Sequence, residues 1–419
     1  MPTLKNAPAT GQVFVARQPI LDRNKRVIGY ELRFKPGPGA TPEPAGAIDS
    51  SARVISDAVV AVGLDELTDG RRAFVNVSRQ LLLDGIPSVL PSEQVVLELS
   101  SDIEADGEVL EACETLRAKG YSIAVDDFSL NEWTADLVPF ADYLKVDFAV
   151  HPDAEARQSM TSPRGGHSPA LIAKGIETMD AFESAVTEGY AFFQGFFFGR
   201  PLITQARDVP GHQVAHLRLL HALNNPNLSV HQLEDLIKHD ASLCYRILRT
   251  VNSAAYALRT PITSIRQALV YLGRDTVRRW VSLWALAGLS ERAHAEVVVM
   301  STIRARFCEL VATGRGDEDG GGEGFLLGMC SLLDVILDRP MDAVLAQLPL
   351  SPETQAALRG EDNDGRKLLD CVIAYERGIW DRAVELAKVV GVQSLVLPKA
   401  HADSLRWTRE LQRGFTAKD

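Results

Sequence analysis

The sequence predicts an α/β half followed by an all-α half, and two observations support this division. As far as residue 200, short apolar runs typical of strands alternate with stretches of helical spacing. Such alternation indicates a parallel sheet, open or closed into a barrel. After Pro201 the apolar residues recur only at helical spacing. A chain of 419 residues is long enough to bury both cores.

The composition is that of an ordinary globular protein and excludes several classes of function. Hydrophobic residues make up 46% of the chain and charged residues 24%. The net charge of -11 argues against a general nucleic-acid-binding surface, which needs a basic footprint. No apolar run is long enough to span a bilayer. The five cysteines lack metal-binding spacing, and with no segment resembling a signal peptide the sequence predicts a cytoplasmic location.

Strands are predicted throughout the α/β half. The first two are separated by the polar turn Asp22–Lys25 and are expected to form a hairpin. The later ones read as continuous apolar runs, the pattern of parallel strands buried on both faces. In chain order the predicted strands are Val13–Ile20, Val27–Phe34, Ala73–Val77, Val95–Leu99, Tyr121–Asp126, Tyr143–Asp147, Ala170–Ile176 and Phe192–Phe198.

Helices are predicted between these strands, and two stretches are predicted to be loops. The helices are expected at residues 54–62, after the capping residue Ser78, at Glu104–Lys119, at Asn131–Val138 and at Met179–Glu188. Pro36–Gly46 is rich in Pro, Gly and Ala, and His151–Ser168 interrupts the pattern with Pro, Gly and Ser. Both compositions are typical of loops.

The all-α half is predicted to consist of helices separated by short turns. They are expected at Val214–Leu223, Val230–His239, Ala241–Asn252, Ile265–Leu272, Thr276–Gly288, Glu291–Thr313, Phe325–Leu337, Met341–Leu348, Pro352–Arg359, Arg366–Gly378 and Trp380–Gly391. Gly314–Gly324, with the sequence GRGDEDGGGEG, is predicted to be a flexible acidic loop.

Polar side chains come at the ends of successive strands in the α/β half. They are Glu31, Asn76, Glu98, Asp126, Asp127, Lys145, Asp147, Glu177 and Gln194. In an α/β barrel the strand ends share one open face, which is where the chemistry is found. Carboxylates and an amide there suit Mg²⁺ or Mn²⁺, which activate water and polarise phosphates. Each residue taken singly also has a structural interpretation, such as a helix cap for Asp127, so the prediction rests on their recurrence.

The order of motifs in the first half resembles the EAL domain, a compact TIM-like (β/α) barrel phosphodiesterase that linearises cyclic di-GMP. The motifs are ARQPI, GYELRF, FVNVS, VVLELS, IAVDDF, ADYLKVDF, AKGIET and FFQGFFFGRP, and the resemblance covers residues 12–203. Residues 206–413 resemble the all-helical HDOD domain, which is related to the HD phosphohydrolases but lacks their metal ligands. This second resemblance rests on Asn252–Ala254, Ile262–Leu272 and Leu326–Leu337.

The resemblance assigns roles to the polar residues. The positions that match metal ligands of the family are Glu31, Asn76, Glu98 and Asp126. The positions that match catalytic residues are Asp127, which serves the second metal or the water, Lys145, near the attacking water, and Gln194, beside the metal site. A retained ligand site is expected to involve Arg17, Gln18, Arg33, Lys174 and Glu177.

Three departures from the family pattern predict that these catalytic and metal sites are vestigial. The first glutamate of the family's AEGVET motif, which serves metal binding and catalysis, is Lys174 here. We expect Lys174 to pair with Glu98 or Asp126 and to fill the place of the metal. The loop after Phe128 reads SLNEW instead of a GTGYSS-like run, and the glutamate that anchors this loop in the family is Ser101.

The helical half contains one misleading motif. His239-Asp240 looks like the metal-binding dyad of HD enzymes, but it lies too early in the sequence. The equivalent position is Leu333-Asp334, where histidine is absent, so no metal is expected in this half. Asn252-Ser253 is predicted to form a turn and a cap rather than a catalytic pair.

These observations lead to three functional hypotheses. The first is a catalytically inactive regulatory scaffold in bacterial signalling, which binds signalling proteins through the HDOD domain. The second is a receptor that binds cyclic di-GMP without cutting it. The third is an active phosphodiesterase, which alone would require Mg²⁺ or Mn²⁺. No nucleic-acid or membrane partner is expected, and a homodimer is an open alternative because barrels of this family often pair.

Overall fold

The structure is a computed structural model that groups the chain into two compact units. It describes residues 13–36, 63–85, 90–128, 135–161, 168–195, 228–238, 247, 251–252, 262, 264–274, 276–277, 281, 295–315, 320–337, 339–346 and 350–416. The first unit comprises Met1–Arg200, Cys371–Val389 and Gln393–Ala402. The second comprises Pro201–Asp370, Val390–Val392 and Asp403–Asp419.

The first unit is built on a closed barrel of eight strands, as the α/β pattern and the resemblance predict. The strands are β1 (Val13–Asp22), β2 (Val27–Pro36), β3 (Arg72–Val77), β4 (Val95–Ser100), β5 (Ser122–Asp126), β6 (Tyr143–Asp147), β7 (Ala170–Lys174) and β8 (Phe192–Phe193). β1 pairs antiparallel with both β2 and β8, and every other neighbouring pair is parallel. The predicted hairpin of the first two strands is therefore confirmed.

Helices in the first part of the chain connect these strands, and side-chain caps begin several of them. They are α1 (Leu64–Thr68), α2 (Arg79–Leu83), α3 (Gly107–Ala118), α4 (Ala154–Thr161) and α5 (Met179–Thr187), with a 3₁₀ turn at Val138–Phe140. Ser78, Asp106 and Thr178 each accept a hydrogen bond from a backbone N–H in the first turn of the helix that follows. The predicted cap at Ser78 is confirmed.

Helix α4 corrects the prediction that His151–Ser168 is a loop. Arg157 lies on this helix and is buried. Its guanidinium donates to both carboxylate oxygens of Glu188, at 2.9 and 2.5 Å, and to the carbonyl of His151 at 2.7 Å. These tertiary contacts favour a helix in a segment whose Pro, Gly and Ser content indicates a loop. Residues 162–167 of the predicted loop lie outside the described residues.

The rest of the described chain is helical, as predicted, although the last of its helices was not among the predicted ones. The helices are α6 (Val230–Lys238), α7 (Ile265–Leu272), α8 (Ala295–Thr313), α9 (Gly320–Cys330), α10 (Leu333–Leu337), α11 (Met341–Leu345), α12 (Pro352–Arg359), α13 (Asp364–Glu376), α14 (Trp380–Val390) and α15 (Val396–Thr416). None of the helices that the structure describes is long and apolar enough to cross a membrane.

Helix α9 corrects the end of the predicted acidic loop Gly314–Gly324. Its glycines allow it to pack directly against the backbone of α8. A Cβ atom at Gly324 would lie 2.9 Å from the carbonyl oxygen of Cys308, and one at Gly328 would lie 2.5 Å from that of Arg304. Glycines four residues apart thus form a close helix contact, although glycine in a polar stretch normally indicates a loop.

The C-terminal segment Cys371–Ala402 differs from the predicted domain limits. The division near residue 201 agrees with the expected linker, but most of this segment groups with the barrel and not with the other helices that follow. The rings of Phe14 and Tyr375 are 5.6 Å apart, and Tyr375 is fully buried. The predicted domain 206–413 could not anticipate this, because helical spacing does not identify which core a helix joins.

Candidate functional site

The candidate site forms because β3 to β8 each begin the same pattern, an apolar residue followed two positions later by a polar one. Side chains of alternate strand residues point to the same face. A buried cluster of Ile20, Phe74, Val96, Ala124 and Ile172, with Tyr143 and Phe192 packed against it, forms an apolar floor inside the barrel. Residues two positions beyond the parallel-strand members are Asn76, Glu98, Asp126, Lys145, Lys174 and Gln194. A polar layer therefore lies above the floor, towards the carboxyl ends of the parallel strands.

Lys145 is the centre of the deeper part of this layer. Its ammonium is completely buried and donates to Oε2 of Glu31 at 2.7 Å and to Oε1 of Glu98 at 2.6 Å. It also lies 3.5 Å from Oδ1 of Asp126. We call Lys145, Glu31 and Glu98 the lower charge layer.

Lys174 holds a second set of carboxylates nearer the opening. Its ammonium lies 3.1 Å from both carboxylate oxygens of Asp126 and 2.7 Å from Oδ1 of Asp127. The register pairs Asp147 with Lys174 and Lys145 with Ile172, so Lys174 stands two residues closer to the opening than Lys145 does. We call Lys174, Asp126 and Asp127 the upper charge layer. The expected pairing of Lys174 with Asp126 is present, whereas Glu98 pairs with Lys145.

Local backbone geometry brings the upper charge layer together. Asp127 has a positive φ of 48°, a left-handed conformation that Asp tolerates better than most residues. Gly175 follows Lys174 with φ of 73°, and a Cβ there would lie 2.7 Å from Oδ1 of Asp147. Both strands therefore turn sharply just after the residues that carry the charges.

Side-chain amides and one arginine form hydrogen bonds with the two glutamates of the lower charge layer. Arg33 Nε donates to Oε1 of Glu31 at 2.8 Å, and Gln194 Nε2 donates to Oε2 of Glu31 at 2.5 Å and to Oε1 of Gln18 at 3.2 Å. Asn76 Nδ2 donates to Glu98 at 3.2 Å. Arg33 stands two residues after Glu31 on one strand, so strand periodicity alone could have suggested this pair.

The surrounding charges move the pKa values of the two buried glutamates in opposite directions. Burial raises the pKa of Glu98 to about 8, and the carboxylates of Glu31 and Asp126 add to this while Lys145 opposes it. Burial also disfavours the charged form of Glu31, but Lys145 and Arg33 hold its pKa well below the ordinary value. Burial thus favours the protonated form of Glu98, whereas the neighbouring cations favour the charged form of Glu31.

Both lysines keep their charge. Burial disfavours the ammonium of Lys145, yet the carboxylates around it raise its pKa. Burial has the same effect on Lys174, where Asp126 and Asp127 raise the pKa. The barrel interior thus contains two permanent cations, each held by hydrogen-bonded carboxylates.

Comparison with known proteins identifies the family. The EAL domain matches residues 2–201 and the HDOD domain matches residues 210–332. The cyclic di-GMP phosphodiesterase CdgJ of Vibrio cholerae is 31% identical over 402 residues, which cover 96% of this chain and 93% of that protein. The chain belongs to the EAL–HDOD family. The uncharacterized protein YuxH of Bacillus subtilis is 30% identical over 408 residues, covering 96% of this chain and 99% of that protein.

Solved structures with EAL domains also match part of the chain, at lower identity. The PaMucR phosphodiesterase in complex with c-di-GMP is 23% identical, with a TM-score of 0.38, and is matched over 46% of this chain and 97% of that one. The YkuI protein of Bacillus subtilis, with c-di-GMP and calcium, is 20% identical, with a TM-score of 0.38 and coverages of 56% and 72%. BlrP1 of Klebsiella pneumoniae is 21% identical with a TM-score of 0.37, and this chain spans 58% of it, less than two thirds.

The residues of this EAL barrel do not fit a divalent ion in the arrangement that the structure shows. The positions that match metal ligands, Glu31, Glu98 and Asp126, do come together, but each contacts a cationic side chain of the protein within 3.1 Å. Among the described residues, no group of three or more His, Cys, Asp and Glu side chains is arranged to hold a metal. A metal could enter only by displacing Lys145 or Lys174.

Two predicted ligand-binding residues, Arg17 and Glu177, are not members of the two charge layers. Because Gln18 points into the barrel, its neighbour Arg17 points outward. The Arg17 guanidinium lies 4.4 Å from the centre of the Tyr30 ring and donates to the carbonyl of Leu67 at 3.1 Å. Glu177 is exposed, three residues beyond the end of β7. Of the predicted ligand residues, the structure groups Gln18, Arg33 and Lys174.

The structure describes some, but not all, of the other residues singled out in the sequence, which lie in the helical half and in the loop after Phe128. Asn252 exchanges two hydrogen bonds of 2.8 Å with the backbone of Ile262, which agrees with the predicted turn. Burial raises the pKa of Asp334, at the position equivalent to the HD dyad, to about 6. The segments 129–133 and 239–240 lie outside the described residues.

Proposed function

We propose that this EAL–HDOD protein is a cytoplasmic cyclic di-GMP signalling protein that does not hydrolyse cyclic di-GMP. It acts as a regulatory scaffold through protein partners, with the HDOD region as the surface that binds them. The observation that carries the proposal is the Lys174 ammonium, 3.1 Å from both oxygens of Asp126 and 2.7 Å from Asp127.

The physical argument is electrostatic. A divalent ion ~4 Å from an ammonium is repelled by roughly 2 kcal/mol in bulk water and by about 8 kcal/mol at an effective dielectric constant of ~20. Lys174 also takes the place of a glutamate that serves catalysis in the family. Hydrolysis of a phosphodiester needs a group that generates and orients hydroxide. The charge layers offer ammonium groups instead, so no metal cofactor is expected to act here.

The second candidate is a receptor that binds cyclic di-GMP without cutting it. The observation that favours it is the relation to CdgJ, a cyclic di-GMP phosphodiesterase that aligns over nearly the whole chain. Arg33 and Lys174 lie towards the opening, and guanidinium and ammonium groups bind phosphate oxygens without a metal. The same relative supports a third candidate, an active phosphodiesterase that requires Mg²⁺ or Mn²⁺.

Hydrolysis and calorimetry together distinguish the three candidates. The purified protein is incubated with cyclic di-GMP and Mg²⁺ or Mn²⁺, and binding is measured with each ion and with a chelator. We expect no linear product. Binding that survives the chelator would favour the receptor, and turnover with either ion would reject the proposal.

A charge reversal provides the matched control. Lys174→Glu restores the carboxylate of the family, and Lys399→Glu makes the same charge change at an exposed lysine of the same unit. We expect Lys174→Glu to bind Mn²⁺ measurably tighter than the wild type does, and Lys399→Glu to behave like the wild type. If wild type and Lys174→Glu bind Mn²⁺ equally, Lys174 does not exclude the metal.

A further inference from the structure

The turn between α13 and α14 lies against the carboxyl end of β2, where the barrel opens. Gly378 in this turn has φ of 70°, and a Cβ built on it would lie 3.5 Å from Cδ of Arg33. Close by, the Lys35 ammonium is 2.8 Å from Oδ1 of Asp381. A segment more than three hundred residues away in sequence therefore borders the candidate site on its β2 side.

An aromatic cluster anchors this turn to the barrel. The rings of Phe14, Tyr375 and Trp380 have centroids 5.3 to 5.6 Å apart. The Val15 backbone N–H donates to the Tyr375 hydroxyl at 3.2 Å. In the β1–β2 register, Phe14 is opposite Lys35, so the cluster lies at the level of the strand end and not at the barrel floor.

Arg33 connects this turn to the lower charge layer. Its Nε donates to Glu31 at 2.8 Å, and Glu31 is almost fully buried whereas the Arg33 side chain is 40% exposed. The guanidinium thus binds a buried carboxylate while its aliphatic stem lies beside Gly378. Long charged side chains commonly lay their stems along neighbouring surface in this way while the charged head keeps its polar partner.

We infer that the turn Gly378–Asp381 is a positioning element for Arg33, so that the Arg33–Glu31 ion pair and the packing of this turn against the barrel depend on each other. Any anion that takes Arg33 from Glu31, such as a phosphodiester, would then loosen the turn. The inference deepens the proposed function, since it concerns the same site. It does not depend on whether cyclic di-GMP is bound or cut.

Amide hydrogen exchange on the full-length protein tests this coupling. The Gly378 and Ile379 amides donate to the carbonyls of Tyr375 and Ala374 at 2.9 Å, so their exchange reports opening of the turn. Glu31→Gln removes the negative charge that holds Arg33 and leaves at most a neutral hydrogen bond. The matched control is Glu188→Gln, which breaks the Arg157 pair elsewhere in the same unit.

We expect Glu31→Gln to speed exchange at Gly378 and Ile379 by about tenfold more than Glu188→Gln does, a factor within the usual range of coupling between sites. Equal acceleration by the two variants would overturn the inference. A protein that proves to hydrolyse cyclic di-GMP would reject the proposed function and leave this result unchanged.

A second variant keeps the test valid if Glu31→Gln fails to fold. Gly378→Ala places a methyl group on a left-handed backbone conformation, which strains the turn without changing any charge in the barrel. Coupling is reciprocal, so we expect the Nε–Hε proton of Arg33, observed by ¹⁵N NMR, to exchange with water several-fold faster. The Arg157 Nε–Hε signal is the internal reference. An Arg33 signal as protected as in the wild type would contradict the inference.

Discussion

The lower and upper charge layers contain the same chemistry at two depths. Lys145 is completely buried among carboxylates that have no access to water, whereas the side chain of Lys174 is 16% exposed and that of Asp127 is 52% exposed. The fold therefore requires the Lys145 ammonium, because water cannot reach Glu31 and Glu98 to replace it. Water could replace the Lys174 ammonium, so we expect Lys174 to matter more for function than for stability.

The largest effect is expected from Lys145→Met, which leaves Glu31 and Glu98 without an ammonium. Breaking a buried ion pair by removing one partner costs about 3–5 kcal/mol. We expect the free energy of unfolding of the barrel, measured with urea, to fall by this amount. Lys399→Met, at an exposed lysine, should stay within about 0.5 kcal/mol of the wild type. A loss below about 1 kcal/mol for Lys145→Met would show that the lower charge layer does not depend on its cation.

A smaller effect is expected from Lys174→Met. Asp126 and Asp127 lie near the opening and can gain water when the ammonium is removed, so the loss should be about 1–2 kcal/mol. The measurement is the same urea titration. If the loss equals that of Lys145→Met, the two layers do not differ in the way that their exposure indicates.

A pH dependence of stability is expected from the lower charge layer alone. Burial raises the pKa of Glu98 from 4.5 to about 8. Between these values the folded protein keeps a proton that the unfolded chain has released, so the contribution of Glu98 to stability falls as the pH rises. Glu98→Gln mimics the neutral form at every pH. We therefore expect the melting temperature of Glu98→Gln, relative to that of the wild type, to increase from pH 5 to pH 8.

The control for this pH dependence is Glu188→Gln. Arg157 and Ser184 hold the pKa of Glu188 below its ordinary value against the effect of burial, so this variant should show no such gain. If the difference in melting temperature between Glu98→Gln and the wild type stays constant from pH 5 to pH 8, Glu98 is ionised in the folded protein.

Much of the barrel could be predicted because its strands carry local signals. Continuous apolar runs identified the parallel strands, and the polar residue near the end of each one identified the site. The partner of Lys174 was predicted only as one of two carboxylates. Which of the two carboxylates pairs with Lys174 depends on the register between strands. The register places Lys174 two residues closer to the opening than Lys145, and it cannot be inferred from the sequence of either strand alone.

Other features needed the three-dimensional structure or a signal that was overlooked. Strand alternation places Arg17 and Gln18 on opposite faces, so only one of them could have entered the barrel. Tyr375 and Trp380 showed only helical spacing, which does not reveal that they pack on Phe14. The glycines at the start of α9, up to Gly324, were assigned to a loop because their role, close approach to α8, exists only in the folded protein.

The closure of the barrel by its first strand has a consequence for the order of folding. β1 meets β8 through Leu21 and Phe193 and through Asp22 and Phe192, and its other end receives the hydroxyl of Tyr375. Contacts so distant in sequence form slowly. On the ribosome the earliest strand to emerge must wait, with one edge unpaired, until residue 193 has been synthesised. Its outer end stays uncovered until residue 375 has followed, so the start of the barrel is the part most dependent on protection during synthesis.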